Sequence, residues 1–348
     1  MAAENEVGCV DNLCCNLLFK GDVCLTWDFA ITLTTIREAA TRIHDHVIRT
    51  PVIQSQVLDK ALCAQVFFKC ENLQHVGAFK SRGACNAVFS LADDQAIPGV
   101  VAHSSGNHAA ALARAARLRG IAAHIVMPHD SASVKIDAVR GYGVEPTFCE
   151  PDSDSRQAAA DKVIAETGAT FIHPFNDARV IAGQGTAVLE LLADVANLDA
   201  IVVPVGGGGL LSGTLVAAKS LNPDIKVFAA EPEWADDAYR SLKSGTIESP
   251  VRHDTIADGL RTCLGTLTFP IVRKLVDDIL LVNEQEIAAA TLAMMFRAKV
   301  VAEPSGAVPL AAVLRNKDRF TGQRIGVVVS GGNLDPSTLQ QLITGGKS

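Results

Sequence analysis

Four segments carry residues whose types and spacing could do chemistry. The first, Gly77-Ala78-Phe79-Lys80-Ser81-Arg82-Gly83, sets a lysine in a glycine-flanked loop after the apolar run Val66-Phe67-Phe68-Lys69. An amine partly withdrawn from water there loses affinity for its proton and becomes suited to Schiff-base chemistry with a carbonyl compound. Read alone, such a lysine is more often an ordinary solvated loop residue. The second segment is four consecutive glycines, Gly206 to Gly209, between an apolar run and an amphipathic stretch. Glycine permits a tight turn and lets backbone N–H groups approach an anion at a helix start, so the loop is a phosphate cradle on physical grounds. It is not a dinucleotide fingerprint, because Leu211 and Ser212 stand where the third glycine belongs. Gly346-Lys347-Ser348 resembles the tail of a nucleotide P-loop, but no helix follows it in the sequence.

The third segment, Ser104-Ser105-Gly106-Asn107-His108, joins an expected strand to an expected helix. Its hydroxyls and first amides suit a carboxylate; the plainer reading is a helix cap at Ser105 or Asn107. The fourth, Ser330-Gly331-Gly332-Asn333, lies at the carboxyl end of the strand pattern Ile325 to Val329, where open α/β sheets bind ligands.

These segments require positioning elements. Thr35-x-x-Glu38 reads as a capping box opening a helix that Pro51 ends, with Ile36, Ala40, Ile43 and Val47 on one face. From Gly99 to Pro174, strands at 100–103, 122–127, 146–149 and 170–173 alternate with helices at about 108–119, 133–140 and 155–167. Such a βαβαβαβ run predicts a parallel sheet. A second α/β region follows, with strands at 200–205, 227–230, 279–282 and 325–329, and a capping box at Asn283-x-x-Glu286. The expected architecture is two open twisted α/β domains with the active site in the cleft between them. The expected boundaries are an extension over 1–28, a large domain of 29–97 with 175–340, and a small mobile domain of 98–174.

Composition narrows the classes. The 348-residue chain is 48% hydrophobic and 20% charged, with a net charge of −7 and no basic run, which argues against nucleic-acid or anionic-membrane partners. Ala200 to Ala218 is uncharged and long enough to span a bilayer, but Pro204 and five glycines make it hostile to one membrane helix. The acidic N-terminal residues do not read as a secretory signal. Nine cysteines, an odd number without such a signal, suit cytosolic thiols rather than a disulfide framework. Cys14-Cys15 and His44-x-His46 lack zinc-site spacing.

Taken together and in order, the segments resemble the fold-type-II pyridoxal-phosphate enzymes, the serine racemase and serine/threonine dehydratase family with a tryptophan-synthase-β-like fold. The resemblance runs from about Ile36 to Asp335 and rests on "FFKCENLQHVGAFKSRGACNAV", "HSSGNHAAALA", "FCEPDSDSR", "HPFNDARVIAGQGT", "VVPVGGGGLLSG", "AAEPEWADDAY", "TIADGL", "AEPSGA" and "VVSGGN". It implies that Lys80 carries pyridoxal 5'-phosphate and acts as base on one face of the substrate carbon. Gly206, Gly207, Gly208 and Gly209 then hold the phosphate, Phe79 packs on the ring, Asn107 contacts the ring hydroxyl and Ser330 bonds the pyridine nitrogen. Ser104, Ser105, Asn107 and His108 surround the substrate carboxylate, with Arg156 approaching it when the small domain closes. Glu231, the Ala235 carbonyl and Asp237 look like the family's site for Mg²⁺ or Ca²⁺, an all-oxygen set suited to either.

The implied activity is interconversion of L- and D-serine, with side β-elimination to pyruvate and ammonia, by a cytoplasmic homodimer acting on a small amino acid. Ser105 favours the racemase, since it stands where family racemases place the opposite-face base and many dehydratases have alanine. Ala109 and "HPFNDARVIAGQGT" instead read like dehydratases acting on serine, threonine or threo-3-hydroxyaspartate. A non-catalytic amino-acid sensor is a third reading, opposed by Lys80. ATP activates eukaryotic racemases of the family, but His75-Val76 and Gln56 stand here where animal enzymes have Lys-Thr and Ser.

Overall fold

The structure, a computed structural model, describes residues 27–104 and 106–345. Among the described residues, ten strands form two sheets: β1 (Val52–Ile53), β2 (Gln65–Cys70), β3 (Val100–His103), β4 (Ala123–Pro128), β5 (Thr147–Cys149), β6 (Thr170–Phe171), β7 (Ala200–Pro204), β8 (Lys226–Pro232), β9 (Asp278–Val282) and β10 (Arg324–Val329). The larger sheet has the order β1-β2-β10-β7-β8-β9, and the smaller one β5-β4-β3-β6. All pairings are parallel except that of the edge strand β1 with β2.

Side-chain alternation sorts the large sheet's residues to its two faces. Val66, Phe68, Val202, Ile325 and Val327 join one core cluster, whereas Phe67, Ile201, Val203 and Val328 join the other. Both faces are covered by helices, which is why these strands read as unbroken apolar runs. The small sheet's main core is completed by Ile43, Ala84, Cys85, Ala87 and Val88, from helices lying before it in the chain.

Several expectations change. The first helix is Leu33–Ile43, and its capping box is Thr32 with Thr35. Its buried face holds Ile36, Ala39 and Ile43. The helix ends well before Pro51. Gly106 is the N-cap of the helix Asn107–Arg119. Lys80 is not in a loop: it is the first residue of the helix Lys80–Phe89. Gly83 misleads at the sequence level because its purpose is close packing. A Cβ on Gly183 would come within 2.7 Å of the Gly83 Cα, so this helix and the helix Ala178–Asp194 meet backbone to backbone.

Candidate active site

Lys80 is half-buried, and its Nζ donates to the Pro174 carbonyl at 2.8 Å. Burial lowers its pKa to about 8, with Glu303 opposing the shift. Its place at a helix N-terminus also disfavours a positive charge. The Nζ lies 5.1 Å from the centroid of the Phe79 ring. Phe79 N–H donates to the Ser330 carbonyl at 3.0 Å, and Ala78 bridges Gly331, so the lysine-bearing turn is stitched to the end of β10. Ser330 is itself buried there.

From the small sheet, β3 delivers the serine-rich turn. Ser104 is half-buried, its Oγ accepting from the Gly106 N–H at 3.3 Å. Ser105 lies outside the described residues. Asn107 Nδ2 donates to Glu303 Oε1 at 3.0 Å, and Asn107 Oδ1 accepts from Asn333 Nδ2 at 2.7 Å. The carboxyl ends of β3 and β10 therefore meet through these three side chains. A second contact across the same gap pairs Lys135 with Asp258 at 2.5 Å. Glu303 is buried, and that burial together with Asp258 pushes its pKa up to about 7 against the Asn107 hydrogen bond.

His108 sits behind the site. Its buried ring places Nε2 3.0 Å from the Ile172 carbonyl, which fixes the proton on Nε2, and Nδ1 has no partner. Burial, then the neighbouring Lys80, push its pKa down to about 3. Any contact of this residue with a carboxylate therefore runs through its backbone N–H. His173 has the opposite arrangement: Nδ1 accepts from the Phe175 and Asn176 amides at 3.3 and 2.9 Å.

The glycine loop opens the helix Gly209–Leu221, with Gly208 as its N-cap at φ +83°. Helix-start amides have no intrahelical acceptor and are free to receive an anion. A Cβ on Gly207 would stand 2.2 Å from the Phe175 ring, and one on Gly208 2.9 Å from Thr268. Thr268 Oγ1 donates to the Gly207 carbonyl at 2.8 Å, holding the turn from below. A loop that admits no side chain, free amides and a depressed-pKa amine fit a phosphorylated aldehyde such as pyridoxal phosphate.

Arg156 is half-buried and turns back on its own helix start, donating from Nε and Nη2 to the Pro151 carbonyl at 3.1 and 2.6 Å. Burial is the main cause that lowers the pKa of His103, and the nearby Arg156 lowers it further. Glu231, at the end of β8, accepts from the Ala238 and Tyr239 amides at 2.7 and 2.9 Å. Asp237 beside it is buried, with neither carboxylate oxygen partnered. Burial raises both acids, Asp237 to about 7, and Asp237 raises Glu231 further. Ala235 is buried in the intervening turn. Among the described residues no cluster of three or more His, Cys, Asp or Glu side chains could hold a metal. Two acids and a carbonyl fall short of that count, but the orphaned Asp237 oxygens are the donors a hard cation would satisfy.

Sequence reasoning gave no role to Glu303, Asn333, Phe175 or Thr268. Glu303, Asn333 and Phe175 stand inside the quoted motifs "AEPSGA", "VVSGGN" and "HPFNDARVIAGQGT", so a signal existed; Thr268 carried none.

Residues 43–331 match the family described as "Pyridoxal-phosphate dependent enzyme". The chain belongs to that family. It is 48% identical over 317 residues to a serine racemase of Dictyostelium discoideum, covering 90% of this chain and 98% of the relative. It is 51% identical over 297 residues to a beta-hydroxyaspartate dehydratase of Paracoccus denitrificans, covering 85% and 94%. The structure of maize serine racemase superposes with a TM-score of 0.87 at 46% identity, covering 91% of this chain and 98% of that one.

Proposed function

We propose that the protein interconverts L- and D-serine, with side β-elimination of serine to pyruvate and ammonia. The observation that carries this reading is Lys80: a half-buried amine depressed to about 8 and held on the Pro174 carbonyl, next to the Phe175 that packs on the glycine loop. Serine racemases from slime mould and maize at nearly half identity support the substrate.

Gly206 to Gly209 would hold the cofactor's phosphate, Phe79 its ring face, Asn107 its ring hydroxyl and Ser330 its ring nitrogen, with Lys80 joined to its carbonyl carbon. Bound pyridoxal phosphate withdraws electrons from the substrate's α-carbon and acidifies its proton. Lys80 takes or returns that proton on one face, an exchange its lowered pKa suits near neutral pH. The Ser105 hydroxyl serves the other face. Ser104 and the first amides of the helix Asn107–Arg119 seat the substrate carboxylate, and Arg156 adds positive charge nearby. Glu303 and Asn333 fix the Asn107 amide.

A second reading, a dehydratase acting on threo-3-hydroxyaspartate, is favoured by the 51% identity to the Paracoccus enzyme. Chiral analysis of products from L-serine, D-serine and L-threo-3-hydroxyaspartate, with keto acid scored in parallel, separates the two. D-serine formed from L-serine supports the racemase; keto acid from hydroxyaspartate with no inversion of serine replaces it.

Mg²⁺ or Ca²⁺ at Glu231, the Ala235 carbonyl and Asp237 is part of the proposal, carried by the orphaned carboxylate. So is a homodimer: Val57, Leu73, Phe296 and Val301 are exposed apolar side chains. The Ser55 Oγ to Arg297 carbonyl bond and the Asn72 to Val301 carbonyl bond draw their segments together. A cytoplasmic site fits the free thiols Cys63, Cys70, Cys85, Cys149 and Cys263, and no described helix is long and apolar enough to cross a membrane. ATP activation has the least support, given His75-Val76 and Gln56.

A further inference from the structure

Two residues beyond Lys80, a buried ionic cluster binds the same helix. Arg82 is fully buried and donates from Nε and Nη2 to Glu71 at 2.7 and 2.8 Å. Its Nη1 and Nη2 reach the two oxygens of Glu190 at 2.7 Å each. The remaining contacts are Thr186 Oγ1 and the Ile48 carbonyl, both at 3.2 Å, so every guanidinium hydrogen has an acceptor. Lys69 is also fully buried; it donates to Glu190 at 2.6 Å and to the Thr50 carbonyl at 2.7 Å. Two cations and two carboxylates balance.

The elements joined are the informative part. Lys69 lies in β2 and Glu71 follows it, Glu190 and Thr186 lie on the helix Ala178–Asp194, and Arg82 occupies the first turn of the helix that starts with Lys80. The opposite face of that helix, with Ala84, Cys85, Ala87 and Val88, packs into the small sheet's core. Left to packing alone, the helix would follow either body. A planar fork gripping two carboxylates fixes direction as well as distance.

We infer that Arg82 is a positioning residue for the reaction: through its paired forks to Glu71 and Glu190 it holds Lys80 in register with the large sheet and the glycine loop. The inference rests on Lys80 being the reacting amine. Because Pro174 accepts from Lys80, and the adjoining Phe175 covers the glycine loop, a small rotation of the first turn would draw the amine away from both.

The test is Arg82→Lys in the holoenzyme. It keeps the charge that compensates the carboxylates but cannot form either fork. The expected result is a kcat about 10- to 100-fold lower with KM changed less than about twofold, as for loss of alignment alone. The acid limb of the kcat–pH profile should move up, as Lys80 regains solvent. Backbone hydrogen exchange across 80–89 should quicken. If Arg82→Lys does not fold, Glu190→Gln, which leaves the Glu71 fork in place, carries the same three measurements. A lower melting temperature with unchanged kcat, pH profile and exchange makes the cluster purely structural and overturns the inference. A wild-type protein that turns over none of L-serine, D-serine and hydroxyaspartate instead removes the functional reading on which it rests.

Discussion

Lys80 Nζ points its hydrogen bond at the Pro174 carbonyl, 2.8 Å away, so the amine at this helix start is met by the segment that leaves the small sheet. A carbonyl can only accept, yet burial still brings the amine down to about 8. With its pKa this close to physiological pH, a usable fraction of the amine is neutral, which suits nucleophilic and base chemistry.

Lys80→Ala should abolish racemisation and elimination together and remove the cofactor's protein-linked visible absorbance. Normal turnover in a colourless variant would falsify the role given to this lysine.

Ser105→Ala should lower racemisation in both directions by ~10²- to 10⁴-fold, the usual contribution of a general acid–base group. Elimination from L-serine should fall far less, because it uses the Lys80 face. Chiral chromatography with a pyruvate assay reads both. An equal drop in both activities would leave Ser105 a binding residue and favour the dehydratase.

Asp237 ties pH to the cation. Its pKa is raised, to about 7, so the folded chain holds this proton more tightly than the unfolded chain does. In chelator, stability should therefore fall as pH rises from the ordinary carboxylate range through about 7, with the raised Glu231 adding to the fall in the same direction. At pH 8, Mg²⁺ or Ca²⁺ at ~100-fold over its dissociation constant should restore about 2.7 kcal/mol, a rise of several degrees in Tm. Asp237→Asn should reduce the pH dependence, leaving the part due to Glu231, and abolish the cation's effect; a Tm indifferent to chelator in the wild type would remove the site.

Gly207→Ala forces a methyl group into the Phe175 ring, which must move. Overpacking of this kind costs about 1–3 kcal/mol. Cofactor affinity, read by fluorescence titration, should weaken at least tenfold. An unaltered affinity would mean that the loop holds no phosphate.

Phe296→Glu replaces one of the exposed apolar side chains offered for the dimer with a charge. Sedimentation should then show a shift from dimer to monomer, whereas a wild type already monomeric would dispose of the dimer.

Much of this was legible beforehand because parallel strands buried on both faces read as apolar runs, and the glycine turns lie at their carboxyl ends. The small sheet's strand–helix alternation emerged with boundaries off by a residue or two. The helix at Lys80 was missed because Gly77 and Gly83 both look like loop punctuation, although only Gly77, at φ +69°, is used that way. Gly83 is set by contact with Gly183, a hundred residues distant, which no local pattern encodes. β1, two residues long, was too short to leave a periodicity. Glu303 was quoted within a motif, yet its meeting with Asn107 depends on the tertiary approach of β3 to β10.

The place of β10 bears on how the chain matures. The last of the described strands in chain order is a central one, inserted between β2 and β7. All strands of the small sheet lie within 100–171, and it can assemble as soon as they emerge. The larger sheet, in contrast, must wait for residues 324–329 while β2 and β7 present unpaired edges. Pairing over so long a separation is slow, and open edges invite association between chains. Loss of β10 would thus divide the sheet at its middle and leave the facing edges of β2 and β7 open to association between chains.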